Sequence, residues 1–323
     1  MKTELKVEDI VAKPGTAEYG FLKAGEMQDG TTARFPIAIV NGSEDGPILY
    51  VQAASDGNEL NGVAVIHHLL NTVSANKLRG GIIAVPIANT FAFHFKQAYS
   101  IADGRKMNRC FPGKKSGTAS ERVAYRLFHK AVTQSQYCID LHQGGVGPMI
   151  DSLNVRVNRR HRLHKKCMEL ARVFGIGYIL DQRGPKGQLA QAAPDEGIPT
   201  IDPELGGCHG WDETSVQKGI RGVQNVLKCY GFLEGEPEIP ERQVVVRKFQ
   251  TIHNNRGGFI KYRTKMYDLL EYRTPVADIC DAFGRTVETI TSPKKGVLWS
   301  TNMYPMVPSG SRIGTLGIDI SYI

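Results

Sequence analysis

Tyr50-Val51-Gln52-Ala53-Ala54-Ser55-Asp56-Gly57-Asn58-Glu59-Leu60-Asn61-Gly62 is the stretch on which the fold turns. Ile48 to Ala54 is an apolar run and reads as a buried strand; a helical pattern then extends from about Asn61 to Leu70. Between them lies a polar loop carrying two carboxylates, Asp56 and Glu59, three residues apart. In open α/β sheets ligands sit at the carboxyl ends of strands, where such loops lie. Asp56 and Glu59 can therefore both turn toward one cation. The plainer reading is a helix start, with Asp56 or Asn58 as cap and Glu59 complementing the dipole. Two later segments tip the balance toward the cation.

Working outward, Phe35–Val40 is strand-like with turn signals on both sides, and Gly80–Pro86 is a second buried strand. A long loop with glycine and proline covers Ser100 to Gly117. Ser120 to Ala131 is helical, with Val123, Leu127, Phe128 and Ala131 on one face. Tyr137-Cys138-Ile139-Asp140-Leu141 is a short strand running into His142. Leu163–Phe174 and Ser215–Cys229 read as helices, and Ile198–Asp202 leads to Glu204. Strands alternating with helices imply an α/β sheet covered on both faces. The character changes near Gly235-Glu236-Pro237, a plausible linker. Short strands follow at 243–251, 258–262, 274–278, 286–291, 296–300 and 312–317, with no long helix. The expected organisation is a catalytic domain over 1–240 and a small β-rich, barrel-like domain over 241–323.

The 323-residue chain is 41% hydrophobic and 22% charged, ordinary for a globular protein. No apolar run approaches the roughly 20 residues that span a bilayer. The start, Met1-Lys2-Thr3-Glu4-Leu5-Lys6, has no signal-peptide core, so the expected setting is cytoplasmic with no membrane partner. Six scattered cysteines form no CxxC pair and indicate neither a disulfide framework nor a thiolate zinc site. Part of the net charge of +8 comes from the basic run Arg156–Lys166. That run has no stacking aromatics and no nucleic-acid motif accompanies it, so it reads as a solvated helix start rather than a nucleic-acid patch. An intermediate reading turns one arginine of the run toward an anionic substrate.

The chemistry gathers at strand ends. Asp140-Leu141-His142 supplies an imidazole, with a carboxylate nearby to fix its tautomer. Asp56, Glu59 and His142 together would give three protein ligands and an open position, the layout of a catalytic metal site. Glu204, in Pro203-Glu204-Leu205-Gly206-Gly207, lies at a third strand end. A free carboxylate there suits a hydrolytic general base.

These motifs resemble the succinylglutamate desuccinylase/aspartoacylase family, relatives of the zinc carboxypeptidases. The resemblance rests on Ser55-Asp56-Gly57-Asn58-Glu59-Leu60-Asn61-Gly62, Asn89-Thr90-Phe91-Ala92-Phe93, Asp103–Gly113, Ile139-Asp140-Leu141-His142 and Gly197 to Gly207, in the family's order. It covers roughly 50–210; Arg256–Phe259 and Ser292–Val297 also resemble the family's small β domain. It implies an α/β, mixed-sheet, zinc-exopeptidase-like domain with a small C-terminal β-rich domain. It further implies a metal-dependent hydrolase that cleaves the amide bond of a small N-acyl amino acid or related amide. Glu59 and His142 match metal ligands, Glu204 the carboxylate that activates water, and Asn108 and Arg109 the pair that holds a substrate carboxylate. A planar guanidinium suits that last task through paired hydrogen bonds.

Two positions depart from the family pattern. Asp56 stands where the family has His. Two carboxylates and one imidazole cancel the charge of a divalent ion, which should weaken it as a Lewis acid. The expected cofactor is one divalent ion, zinc first, with manganese, cobalt or iron admitted by the harder oxygen donor. The arginine that many members carry about ten residues before the Asn-Arg pair is missing; Lys96 or Gln97 is the expected partial substitute. His209 and Trp211 are candidates for lining the pocket, and Tyr262 and Tyr267 for reaching over it, while His67 and His68 read as helix surface. Cys208 has no evident base partner and makes a poor nucleophile. The competing functions are a non-catalytic small-molecule-binding homologue in which Asp56 marks decay of the metal site, and a metallocarboxypeptidase. The expected partner is a small substrate carrying a carboxylate, with homo-oligomerisation open.

Overall fold

The computed structural model describes residues 2–145, 147–207 and 210–323. Its spine is a ten-stranded mixed sheet. From one edge to the other the strands are Ser321–Tyr322, Val244–Val246, Tyr178–Asp181, Ser152–Val155, Thr200–Gly207, Tyr137–Gly144, Glu44–Ala53, Arg79–Val85, Thr32–Asn41 and Thr16–Glu26. The four central strands from Thr200–Gly207 to Arg79–Val85 run parallel. Their apolar runs are buried on both faces, as a covered parallel sheet requires.

Alternation divides the core into two layers. Leu49, Val51, Ile82 and Ala84 face one layer with Val63, Ile66, Leu170, Phe174 and Val223. These come from the helices Asn61–Thr72, His164–Phe174 and Glu213–Cys229. Tyr50, Ile83 and Val85 face the other layer with Val123, Leu127, Phe128 and Leu189 from the helices Ala119–Lys130 and Leu189–Asp195. The basic run is largely what its composition predicts: the helix starts at His164, with Cys167, Leu170 and Phe174 buried.

Beyond Val246 the strands form two four-stranded antiparallel sheets around Ile260, Val276, Ile279, Leu298 and Leu316. The β-rich segment also contributes to the large sheet. Val244–Val246 pairs in parallel with Tyr178–Asp181, and Ser321–Tyr322 returns to pair with Val244–Val246. Trp299 packs at this junction with Ile150, Leu180 and Val246. Among the described residues no helix is long and apolar enough to cross a membrane.

Candidate metal centre

The strand Glu44–Ala53 ends in a sharp change of direction: Ala54 has φ 50°, in the left-handed region. Asn89 secures the turn, its N–H donating to the Ala54 carbonyl at 3.0 Å and its side-chain amide to the Ser55 carbonyl at 3.1 Å. At Gly57 the loop presses against the Thr90–Phe93 helix so closely that a Cβ would stand 2.2 Å from the Phe93 nitrogen. This contact leaves room only for glycine and sets where Asp56 and Glu59 point.

Strand register supplies the opposite wall. Asp140 is the register partner of Gln52, and His142 that of Glu204, on adjacent parallel strands. Register partners share a face of the sheet, and so do residues two apart along one strand. Asp140, His142 and Glu204 therefore face the same side at the carboxyl end.

Asp56, Glu59 and His142 are all buried, and one ligand-type atom from each lies within 4.8 Å of the others. His142 Nδ1 is 2.8 Å from Glu59 Oε2, which also accepts the Gln143 N–H at 3.0 Å. On its other side, His142 Nε2 lies 3.1 Å from Asp140 Oδ2 and 3.2 Å from Asn108 Nδ2. Asp140 Oδ1 accepts from the Gln52 amide, whose oxygen accepts from the Tyr50 hydroxyl, both at 2.8 Å. This buried chain steadies Asp140, so His142 is held with Nε2 toward Asp140 and Nδ1 toward Glu59. Burial opposes a charge on His142, but the Asp140 and Glu59 carboxylates outweigh it and hold the imidazole well above its usual value. Burial pushes Glu59 up, against the pull of His142.

Asp56 is not a helix cap. The Asn61–Thr72 helix has no side-chain cap of its own; its first N–H groups at Leu60 and Asn61 donate to Gln143 Oε1 at 2.9 and 3.0 Å. Asp56 Oδ2 instead accepts from Lys106 Nζ at 2.9 Å, and its Oδ1 is buried with no hydrogen-bond partner among the described residues. Leaving such an acceptor unsatisfied costs about 1–3 kcal/mol, and a cation held by Asp56 together with Glu59 and His142 would relieve it. Oxygen, oxygen and imidazole nitrogen are donors that a first-row divalent ion accepts.

Glu204 stands in the Thr200–Gly207 strand with its side chain 18% exposed. Burial is the largest influence on its carboxyl, which is pushed up to about 8 with help from Asp202 and Glu59. Arg156 lies beside it, with Nη2 3.8 Å from Glu204 Oε1 and Nε 2.9 Å from Asp202 Oδ2. Asp202, despite its burial, is held below its ordinary value by that guanidinium. Arg156 of the basic run thus turns inward to the protein's own carboxylates, where the sequence-based expectation is one arginine facing an anionic substrate.

Asn108 and Arg109 belong to the short turn Met107–Arg109. Asn108 is buried against His142, with its Oδ1 partnerless among the described residues, whereas Arg109 is exposed and its guanidinium donates to the Asn108 carbonyl. The fold thus gathers Asp56, Glu59, His142, Asn108 and Glu204, with Arg109 adjoining them in the chain. Of the two side chains expected to replace the missing arginine, Lys96 is exposed and the Gln97 amide donates to the Tyr99 carbonyl. Lys106 is the basic side chain that arrives, and it was not singled out in the sequence. Its one signal is a lysine two residues before Asn108 where a carboxylate, Asp56, needs a counter-charge. The Tyr262 hydroxyl donates to the Ile313 carbonyl, and that of Tyr267 donates to Asp151, so both are engaged in structural contacts. His67 lies edge-on to Trp211 at the surface. Cys208 and His209 lie outside the described residues.

Residues 45–230 match the family described as the succinylglutamate desuccinylase/aspartoacylase catalytic domain. The chain belongs to this family. One relative is the N-alpha-acetyl-L-2,4-diaminobutyric acid deacetylase of Halomonas elongata, 28% identical over 230 residues, which are 69% of this chain and 67% of that protein. Solved structures from the family share the fold. A succinylglutamate desuccinylase from a Silicibacter species superposes with a TM-score of 0.84 at 22% identity, covering 98% of this chain and all of that one (100%). A succinylglutamate desuccinylase/aspartoacylase from Rhodobacter sphaeroides gives 0.81 at 23% identity, covering 93% and 95%. Both span the β-rich C-terminal segment as well as the large sheet, so the α/β class with its β-rich appendage is the family's fold.

Proposed function

We propose that this protein is a metal-dependent deacylase that hydrolyses the amide bond of a small N-acyl amino acid or a related amide. The observation that carries the reading is the convergence of Asp56, Glu59 and His142 within 4.8 Å, with Asp56 Oδ1 left without a partner among the described residues. Family membership and the named activity of the Halomonas relative support the reaction class.

Asp56 Oδ1, Glu59 and His142 Nδ1 would hold one divalent ion, with zinc the first choice and manganese, cobalt or iron admitted by the two carboxylates. Such an ion supplies Lewis acidity toward the amide carbonyl and lowers the pKa of water beside it. Glu204, on the same sheet face as His142, takes the proton from the attacking water and returns it to the leaving amine. Its raised pKa suits a group that must both accept and donate near neutral pH. Asn108 and Arg109 anchor the substrate carboxylate. Asp140 fixes the orientation of His142. The catalytic unit in this reading is 1–240, and 241–323 is a β-rich unit that narrows access to small substrates. A cytoplasmic setting belongs to the same reading, supported by the free thiols of Cys110, Cys138, Cys167, Cys229 and Cys280.

The Lys106–Asp56 ion pair is the observation that favours the competing reading, a binding protein that has lost its metal. The test separates the two. Purified protein is stripped by chelation, assayed on a panel of N-acyl amino acids and dipeptides, and reloaded with zinc, manganese or cobalt. Deacylation that disappears and returns with metal supports the proposal; hydrolysis indifferent to chelation, or no metal uptake at all, refutes it.

A further inference from the structure

Lys106 reaches the centre from the residue that opens the Met107–Arg109 turn, so ammonium, amide and guanidinium of residues 106, 108 and 109 come from one short segment. Its Nζ donates to Asp56 Oδ2 at 2.9 Å, with the two side chains 27% and 5% exposed. The ammonium also lies over the Tyr99 ring, 5.6 Å from its centroid. One oxygen of Asp56 is therefore committed to Lys106, while the other is buried with no donor among the described residues.

A purely structural ion pair does not need this arrangement. The ammonium offsets the charge of the carboxylate, but it leaves Oδ1 sealed from water and unsatisfied, a state that persists at a cost unless a second cation binds there. The charges add up the same way. Two carboxylates and a neutral imidazole bring a divalent ion to zero, and the ammonium returns the group to a net positive charge.

Resting on the metallohydrolase reading, we propose that Lys106 is a positioning residue of the metal centre. It confines Asp56 to one-oxygen coordination and restores the positive charge that a carboxylate at position 56 removes. The pair Asp56–Lys106 then does jointly what a single neutral ligand does elsewhere. Affinity for the ion is moderated, because the ammonium repels it, and its electron-withdrawing power is preserved.

Zinc and cobalt are the probes, applied to the full chain. Zinc dissociation constants come from competition with a chromophoric chelator; the visible absorption of the cobalt-loaded protein reports coordination number, being weaker as that number rises. Lys106→Met is expected to bind zinc about tenfold more tightly, since a nearby like charge is gone and the second Asp56 oxygen is freed. Its cobalt absorption should weaken as Asp56 becomes two-oxygen. Lys106→Arg should keep both wild-type properties. Asp56→His should bind zinc more weakly, an unpaired ammonium now facing the ion. Adding Lys106→Met to it should recover more than the tenfold seen in the Asp56 background.

Lys106→Met that leaves both the zinc constant and the cobalt spectrum unchanged overturns the proposal. So does Lys106→Met that weakens zinc binding, which marks a merely structural support, and so do equal effects in the two backgrounds. If Asp56→His does not fold, the Met and Arg variants at 106 decide alone. Wild-type protein that takes up neither zinc nor cobalt overturns the metallohydrolase reading itself, and this inference with it. Wild-type uptake with an inert Lys106→Met overturns the inference alone.

Discussion

Glu204 and His142 are register partners on adjacent parallel strands, so the proposed proton carrier and a proposed metal ligand are set side by side by backbone pairing rather than by loops. A backbone-fixed pair tolerates removal of one functional group without moving the other. Glu204→Gln should accordingly fold as the wild type does and retain its metal, while kcat falls by about 10²–10⁴, the usual worth of a positioned general base. Metal content and kcat measured on the same preparation check this; a variant with near wild-type turnover excludes Glu204 from proton transfer.

The orienting chain from Tyr50 through Gln52 and Asp140 to His142 makes a separate prediction. Asp140→Asn keeps the shape but cannot hold the Nε2 proton as an anion does. Zinc affinity should drop by about 10–100-fold, the cost of losing the partner that orients a metal-binding imidazole. Chelator competition measures it. An unchanged constant shows that the ring is oriented by Asn108 and packing alone.

Protons and the proposed metal ion would compete for the same pocket. In the metal-free protein, burial is the largest influence raising Glu204, from an ordinary 4.5 up to about 8. Glu59 is raised as well, and His142 is held above its usual value by Asp140 and Glu59. Groups raised on folding contribute stability that is complete below their unfolded values and is lost as pH rises through the folded ones. For Glu204 that window runs from about 4.5 to about 8. Asp202, held below its ordinary 3.8, has the opposite sign, and its contribution is complete above that value. The Tm of stripped protein should therefore fall as pH rises across the Glu204 window, and zinc should reverse the fall while releasing protons. Thermal melts and proton-release titrations test it; a flat metal-free profile removes the buried-proton account.

How far the site was legible in the sequence depended on whether a contact was local. The strand from Ile48, the helix from Asn61 and the acids between them show a switch of hydrophobic period within a dozen or so residues. His142 stood at the end of an equally plain apolar run. Nothing local announces that Lys106 meets Asp56, fifty positions away in sequence. Nor does it show that Gln143 serves the start of the Asn61–Thr72 helix in place of a cap. The short strands Ser152–Val155 and Tyr178–Asp181 escaped notice because four residues are too few to show a period. The return of Ser321–Tyr322 to the large sheet escaped for a different reason: pairing across the whole β-rich segment leaves no mark in either strand alone.

Gly57→Ala tests the loop that aims Asp56 and Glu59. Its new Cβ would fall 2.2 Å from the Phe93 nitrogen, and backbone cannot step aside as a flexible side chain can. The expected cost is about 1–3 kcal/mol of stability, as for other overpacked sites. Zinc affinity should fall more than Tm alone implies, because the shift is applied directly to two proposed ligands. Denaturant unfolding and zinc competition, run together, check both halves; full zinc affinity in a folded variant shows that the loop's aim does not depend on this contact.

Arg109 is exposed beside the buried Asn108, and among the described residues its guanidinium bonds only the Asn108 carbonyl, which leaves it well placed to meet a ligand at the rim. Arg109→Ala should leave metal content and Tm near wild type, since no core contact is lost. A charged hydrogen-bonded contact is worth about 1.5–3 kcal/mol, so KM for a carboxylate-bearing N-acyl amino acid should rise about ten- to a hundredfold. The same variant should show little change on the matching amide, whose carboxylate has been replaced by a neutral carboxamide. Equal losses on acid and amide would mean that Arg109 shapes the site instead of reading substrate charge, and the substrate class proposed here would have to drop its carboxylate.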